Sequence, residues 1–197
     1  MDHDQALTVT APVLTTAVLA DVADLEAVLA RLGGADLVTA AALLDLLDEP
    51  RLTAVIDAVV GCGAAALFSL TVDGQVRIDP PDPYDDALAH AFDAHQRREG
   101  RVDPDAGAAA AGRFRAHGWR VVEARTPWRL SSDVALIEAW LSGRAEAAAE
   151  WEPDAADQVA AWLERRRRRL GDGGLEVLVG HLDVLALPPP SRSGPSR

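Results

Sequence analysis

Lysine is missing altogether, cysteine occurs once, and no apolar run is long enough to cross a bilayer. Each shortage excludes something. All nineteen basic residues are arginine and alanine is abundant, a bias of the kind that GC-rich coding imposes, from which no chemistry follows. With Cys62 alone, neither an intrachain disulfide nor a thiolate metal cluster can form, and a reducing cytoplasm is the expected compartment. Cys62 sits in "GCGAAALF" and reads as a small packed residue, because free cysteine usually behaves as a hydrophobe. The N-terminus has no basic region followed by an apolar stretch, and nothing approaches the roughly 20 residues of a spanning helix. Neither secretion nor a membrane partner is expected.

Excess positive charge is lacking too. Thirty-one acidic residues outnumber the basic ones and the net charge is -12, which repels phosphate backbones and anionic surfaces, so nucleic acid is not an expected partner. The run Arg165 to Arg169 lies in the last turns of a predicted helix, where cations complement exposed carbonyls. No basic and aromatic platform surrounds it. His3, His90, His95, His117 and His181 show no metal-ligand spacing, and no Gly-x-Ser-x-Gly elbow is present. "GCG" leads into a strand and "GDGG" opens no helix, so neither makes a phosphate loop. The tryptophans at 119, 128, 140, 151 and 162 fall at strand ends and on apolar helix faces and read as core, with Trp128, after Pro127, the best candidate for stacking on a ligand.

What the chain does hold, in its 49% hydrophobic residues, is a core-forming alternation of strands and helices. Val13 to Asp21 reads as a buried strand, "LEAVLARL" as a helix stopped by Gly33-Gly34, and Ala35 to Ala41 as a second buried strand. "LTAVIDAVV" is a helix, and Ala64 to Val72 a third strand. Strands apolar throughout predict a parallel sheet covered by helices on both faces. Asp73-Gly74 predicts a tight turn into a hairpin arm, "QVRIDP". A helix follows the prolines in "DPYDDALAHAFDAHQRR", and another covers "AAAAGRFRAHG". Trp119 to Leu130 reads as a strand, with Ser131 and Ser132 as cap candidates for the first of two long helices and Asp133 in its first turn. The closing strand, "GLEVLVGHLDVLAL", alternates and calls for an antiparallel partner. "PPPSRSGPSR" has nothing to build a core with and is expected to be disordered. Residues 1–187 thus form one domain and 188–197 a tail.

Acids at strand ends, Asp2 and Asp21, with the site just past Thr39, stand where open α/β sheets bind ligands. Acids there also cap helices. Taken in order, "DHDQAL", "LADVADLEAVL", "ADLVTAAALLDLL", "ALFSLTVDG", "HGWRVVEARTPWRL" and "LEVLVGHLDVLAL" resemble class I S-adenosylmethionine-dependent methyltransferases of an actinobacterial small-molecule branch. The resemblance implies a Rossmann-like sheet with an antiparallel last strand, S-adenosyl-L-methionine as cofactor and a small-molecule acceptor. It implies that Asp2 holds the ribose hydroxyls with His3 beside the adenine, that Asp21 meets the adenine amino group while Val22 lines the base, and that Thr39 and Ala40 lie near the sulfonium. His95 and Trp128 are the acceptor-side candidates, and no catalytic residue is assigned. The family's first strand and Gly-x-Gly-x-Gly turn should precede "DHDQAL" and are absent, so the domain is expected to be truncated, with its first two strands missing and methyl transfer impaired or lost. The alternative is a non-catalytic binding or dimerisation module, which brings in a homodimer. A nicotinamide dehydrogenase on the same sheet would end in a strand that is not antiparallel.

Overall fold

A computed structural model describes residues 15–190. Its elements follow the order of apolar runs. Helix α1 (Leu25–Leu32) is preceded by a single 3-10 turn at Val22–Asp24 and ends at Gly33, whose φ of 81° is open to glycine at little cost. Strand β1 (Leu37–Ala41) leads through a second 3-10 turn, Leu44–Leu46, into α2 (Glu49–Cys62). Asp48 caps α2 by accepting the Arg51 amide at 2.8 Å. Strand β2 (Ala65–Asp79) precedes α3 (Asp85–Gln96) and α4 (Ala106–Ala116). The strands β3 (Arg120–Arg125) and β4 (Trp128–Leu130) come next, then α5 (Val134–Trp151), α6 (Ala156–Gly171) and β5 (Glu176–Leu187).

The sheet is mixed, in the order β1-β2-β5-β3, with β4 also on β5. Among hydrogen-bonded neighbours only β1 and β2 pair in parallel, since β5 lies antiparallel to β2, β3 and β4. The expected antiparallel last strand is present: β1, β2, β3 and β4 share one direction, and β5, returning between β2 and β3, alone runs against them.

Three expectations are corrected. Residues 15–20 have no regular structure and are exposed, Leu19 completely so; within the described residues β1 ends the sheet, and nothing lies beside that segment to satisfy a strand's backbone. Asp73-Gly74 makes no hairpin. Strand β2 runs through it along one continuous partner, β5, and absorbs the extra residues as two register shifts, at Phe68/Thr71 and Val72/Val76. There the Asp73 carboxylate accepts the Gln75 amide at 3.0 Å, and Gly74 takes a φ of 76°. The strand expected from Trp119 to Leu130 is broken at Thr126-Pro127 into β3 and β4, since proline has no amide for the ladder. The cap of α5 is Asp133, which accepts the Leu136 amide at 2.9 Å.

Two cores use opposite faces of the sheet. On one face Phe68, Ala66 and Ala186 pack under Leu52, Val55, Ile56 and Phe114 of α2 and α4. At the other end of the sheet, on the reverse face, Val177 and Val179 pack against Ile137, Leu141 and Trp162 of α5 and α6. Helices therefore cover both faces, each in part. The uncovered half of the second face shows Leu37, Leu67 and Val122, all exposed. Cys62 is half-buried at the end of α2, its Sγ 3.4 Å from the Val59 carbonyl. No helix among the described residues is long and apolar enough to cross a membrane.

Candidate functional site

Asp45 and Asp103 are brought together by a backbone bridge, Val102 to Leu47, and by the Arg97 side chain. Asp45 sits in the 3-10 turn just beyond the carboxyl end of β1. Asp103 lies in the loop between α3 and α4, where the Val102 amide donates to the Leu47 carbonyl at 2.9 Å and Arg97 Nε donates to the Asp103 carbonyl at 3.0 Å. Across from them α5 delivers Arg144 from the face that also carries Ile137, Leu141 and Ala148.

These groups, with Asp93, Phe92 and Trp140, line a cavity of about 130 Å³ at the carboxyl end of the parallel pair. Its walls are closed by Gly74, Val76 and Gly180. Glycine is required at two of these points: a Cβ at Gly74 would lie 2.8 Å from Pro104 Cγ, and one at Gly180 would meet the Asp73 carboxylate. Four other hollows among the described residues are larger: one of about 210 Å³ shares Arg144, with Asp85 and Asp86, one of about 270 Å³ is lined by Gly33, Gly34 and Cys62, and two of about 370 and 460 Å³ are lined in large part by charged groups. The charged groups of the last two are paired or exposed, as in Arg165 with Asp82 and Arg166 with Asp85.

Inside the cavity the charges are buried but not joined. Asp103 is 7% exposed and Arg144 8%. Burial pushes the Asp103 carboxyl up to about 6, helped by the nearby charges of Asp45 and Asp93 and opposed by Arg97. Burial also raises Asp45 and lowers Arg144 to about 10, with Asp93 and Asp103 working against the latter shift. The Arg144 guanidinium lies 3.9 Å over the Phe92 ring and 5.0 Å from the Trp140 ring. Its Nε and the Asp45 Oδ1 are buried without hydrogen-bond partners. His181, 4% exposed, adds an unpartnered Nδ1 close enough to Asp45 to favour its charged form.

The chain matches no protein-family model and no curated protein. Function must therefore be argued from this geometry.

The residues expected to hold a cofactor do not gather at the cavity. Asp2 and His3 lie outside the described residues. Asp21 is exposed and its carboxylate accepts the Ala23 amide at 2.9 Å, closing the 3-10 turn. Val22 and Ala40 each pack against the first core, whereas Thr39 is exposed on the opposite face, as strand alternation demands. Small-molecule sites commonly enclose about 300–1,000 Å³, and this cavity, at about 130 Å³, lies below that range. The described residues thus do not fit S-adenosyl-L-methionine, and no step of methyl transfer is derived through it.

The acceptor-side candidates divide. His95 is buried beneath Glu150, with 3.0 Å between Nε2 and Oε2, and also touches Arg98. It pins α3 to α5. Trp128 is 41% exposed and stacks on His181 at 4.8 Å between centroids, one residue removed from the cavity wall at Gly180. Asp45, Asp103 and Arg144 were not singled out from sequence. Arg144 was detectable: a charge among Ile137, Leu141 and Ala148 at helical spacing breaks an apolar stripe.

Proposed function

We propose that the chain binds a small molecule in the Asp45, Asp103 and Arg144 cavity, on an α/β scaffold of the S-adenosylmethionine-dependent methyltransferase type. The cavity is the acceptor side of that scaffold. Methyl transfer is impaired or absent over the described residues, because Asp21, Val22, Thr39 and Ala40 make no common cradle. The observation that carries the reading is the cavity's position: it opens at the carboxyl end of β1 and of the β2 segment paired with it, which is where open α/β sheets place their ligands. The antiparallel β5 supports the methyltransferase-type scaffold over a dehydrogenase sheet.

Isothermal titration of the full chain with S-adenosyl-L-methionine tests the catalytic half of this reading. No saturable heat is expected with ligand at about 100 μM, whereas a dissociation constant in the low micromolar range, about -8 kcal/mol of binding, would contradict it and restore an enzyme.

A further inference from the structure

We infer that the ligand of this cavity is a small zwitterion, its carboxylate on Arg144 and its ammonium between Asp103 and Asp45; the inference rests on the reading of the cavity as a small-molecule site. A positive and a negative side chain, each more than nine-tenths buried, line the same hollow and form no ion pair with each other. Buried charges ordinarily persist because a partner compensates their lost hydration. Here the Arg144 Nε and the Asp45 Oδ1 are buried without a hydrogen-bond partner.

The guanidinium meets ring faces at Phe92 and Trp140. Such contacts hold a cation but leave its N–H donors unused. A planar carboxylate accepts two of those donors at once, which is the geometry a guanidinium fork favours. Opposite it, the charge of Asp45 raises the proton affinity of Asp103, and Asp45 Oδ1 is buried with no donor. Arg97 stands beside Asp103, and Arg101 and His181 beside Asp45, yet both carboxyls stay raised; no group of metal-ligating side chains is present among the described residues, and an ammonium would supply three further donors.

Neither half of the ligand suffices alone. A lone anion answers Arg144 but adds negative charge beside Asp45, Asp93 and Asp103. A lone cation answers the acids and leaves Arg144 without an acceptor. A hollow of about 130 Å³, below the usual range of small-molecule sites, suits a short zwitterion such as glycine or β-alanine. The apolar walls at Val72, Val76 and Val179 suit a short methylene spacer between the two charges.

The test titrates the full chain at neutral pH with glycine, β-alanine, acetate and methylamine, reading both heat and thermal midpoint. The zwitterions are expected to bind saturably and to raise the midpoint, with acetate and methylamine each at least about tenfold weaker. D103N and R144Q are each expected to weaken zwitterion binding by about tenfold or more. Amide chemical shifts of Gly74 and Gly180, recorded on the unsubstituted chain, place the ligand without relying on a variant that might misfold. Acetate or methylamine binding as tightly as the zwitterions, with those two amides moving, would overturn the ligand class and leave the cavity reading standing. Shifts confined to other residues, or no binding by any of the four probes, would overturn both.

Discussion

Asp103 carries its charge where the surroundings resist it. Asp45, Asp93 and Asp105 raise its carboxyl alongside burial, while Arg97 lowers it and Arg144 attracts it from across the cavity. A carboxyl near 6 in the folded chain and near about 4 when unfolded binds its proton more tightly in the folded state. Stability from this group therefore rises as pH falls through 6 and stops rising below about 4. D103N removes the titration: in urea unfolding, the variant is expected to gain stability over wild type at pH 7.5 and to lose that advantage by pH 4.5. Equal stability of the two proteins at both pH values would refute the burial argument. Asp82 works the other way in a separate window, since its bond with Arg165 lowers it to about 2, so its contribution is present above about 4 and fades only as pH falls toward 2.

The arginine run shows what an element can do with charges that look like a binding patch. On α6, Arg165 donates to Asp82 at 2.6 Å, Arg167 Nε to Glu138 at 2.7 Å, and the buried Arg166 pairs with Asp85 and donates to the Pro80 carbonyl at 2.6 Å. Trp162 Nε1 donates to the same Asp85 at 2.8 Å. The helix is clamped to the start of α3 and to α5. R166A leaves Asp85 short of its cation and is expected to cost about 3–5 kcal/mol in denaturant unfolding, whereas R168A, which alters an exposed arginine, should stay within about 0.5 kcal/mol. A loss at Arg166 no larger than that at Arg168 would show that the clamp is not structural. Most helices were legible because apolar spacing and glycine stops are local signals: α1 ends at Gly33 and α2 at Gly63, both left-handed. The direction of the last strand was legible too, but the unbroken course of β2 past Asp73 was not. The bulges at Phe68/Thr71 and Val72/Val76 depend on a partner more than a hundred residues away, and "DG" alone reads as a turn.

At the scale of the whole molecule the sheet serves two cores on opposite faces, and the cavity lies between them. That is why the site was poorly legible. Asp45 comes from the turn after β1, Asp103 from the loop between α3 and α4, and Arg144 from the middle of α5; no short motif contains two of them. Of the strand-end residues that were visible, Asp21 caps a 3-10 turn and Thr39 faces solvent. The account rests on Arg144 and Asp103 being kept apart for a ligand, not held for the fold. The unfolding free energy of the double variant D103N/R144M decides it, because both charges go at once while the apolar stem over Phe92 remains. The account expects the double variant to be as stable as wild type or more so, by up to about 4 kcal/mol. A loss of more than about 2 kcal/mol, the scale of a broken charged contact, would mean that the two charges hold the structure together, and the binding claim would fail.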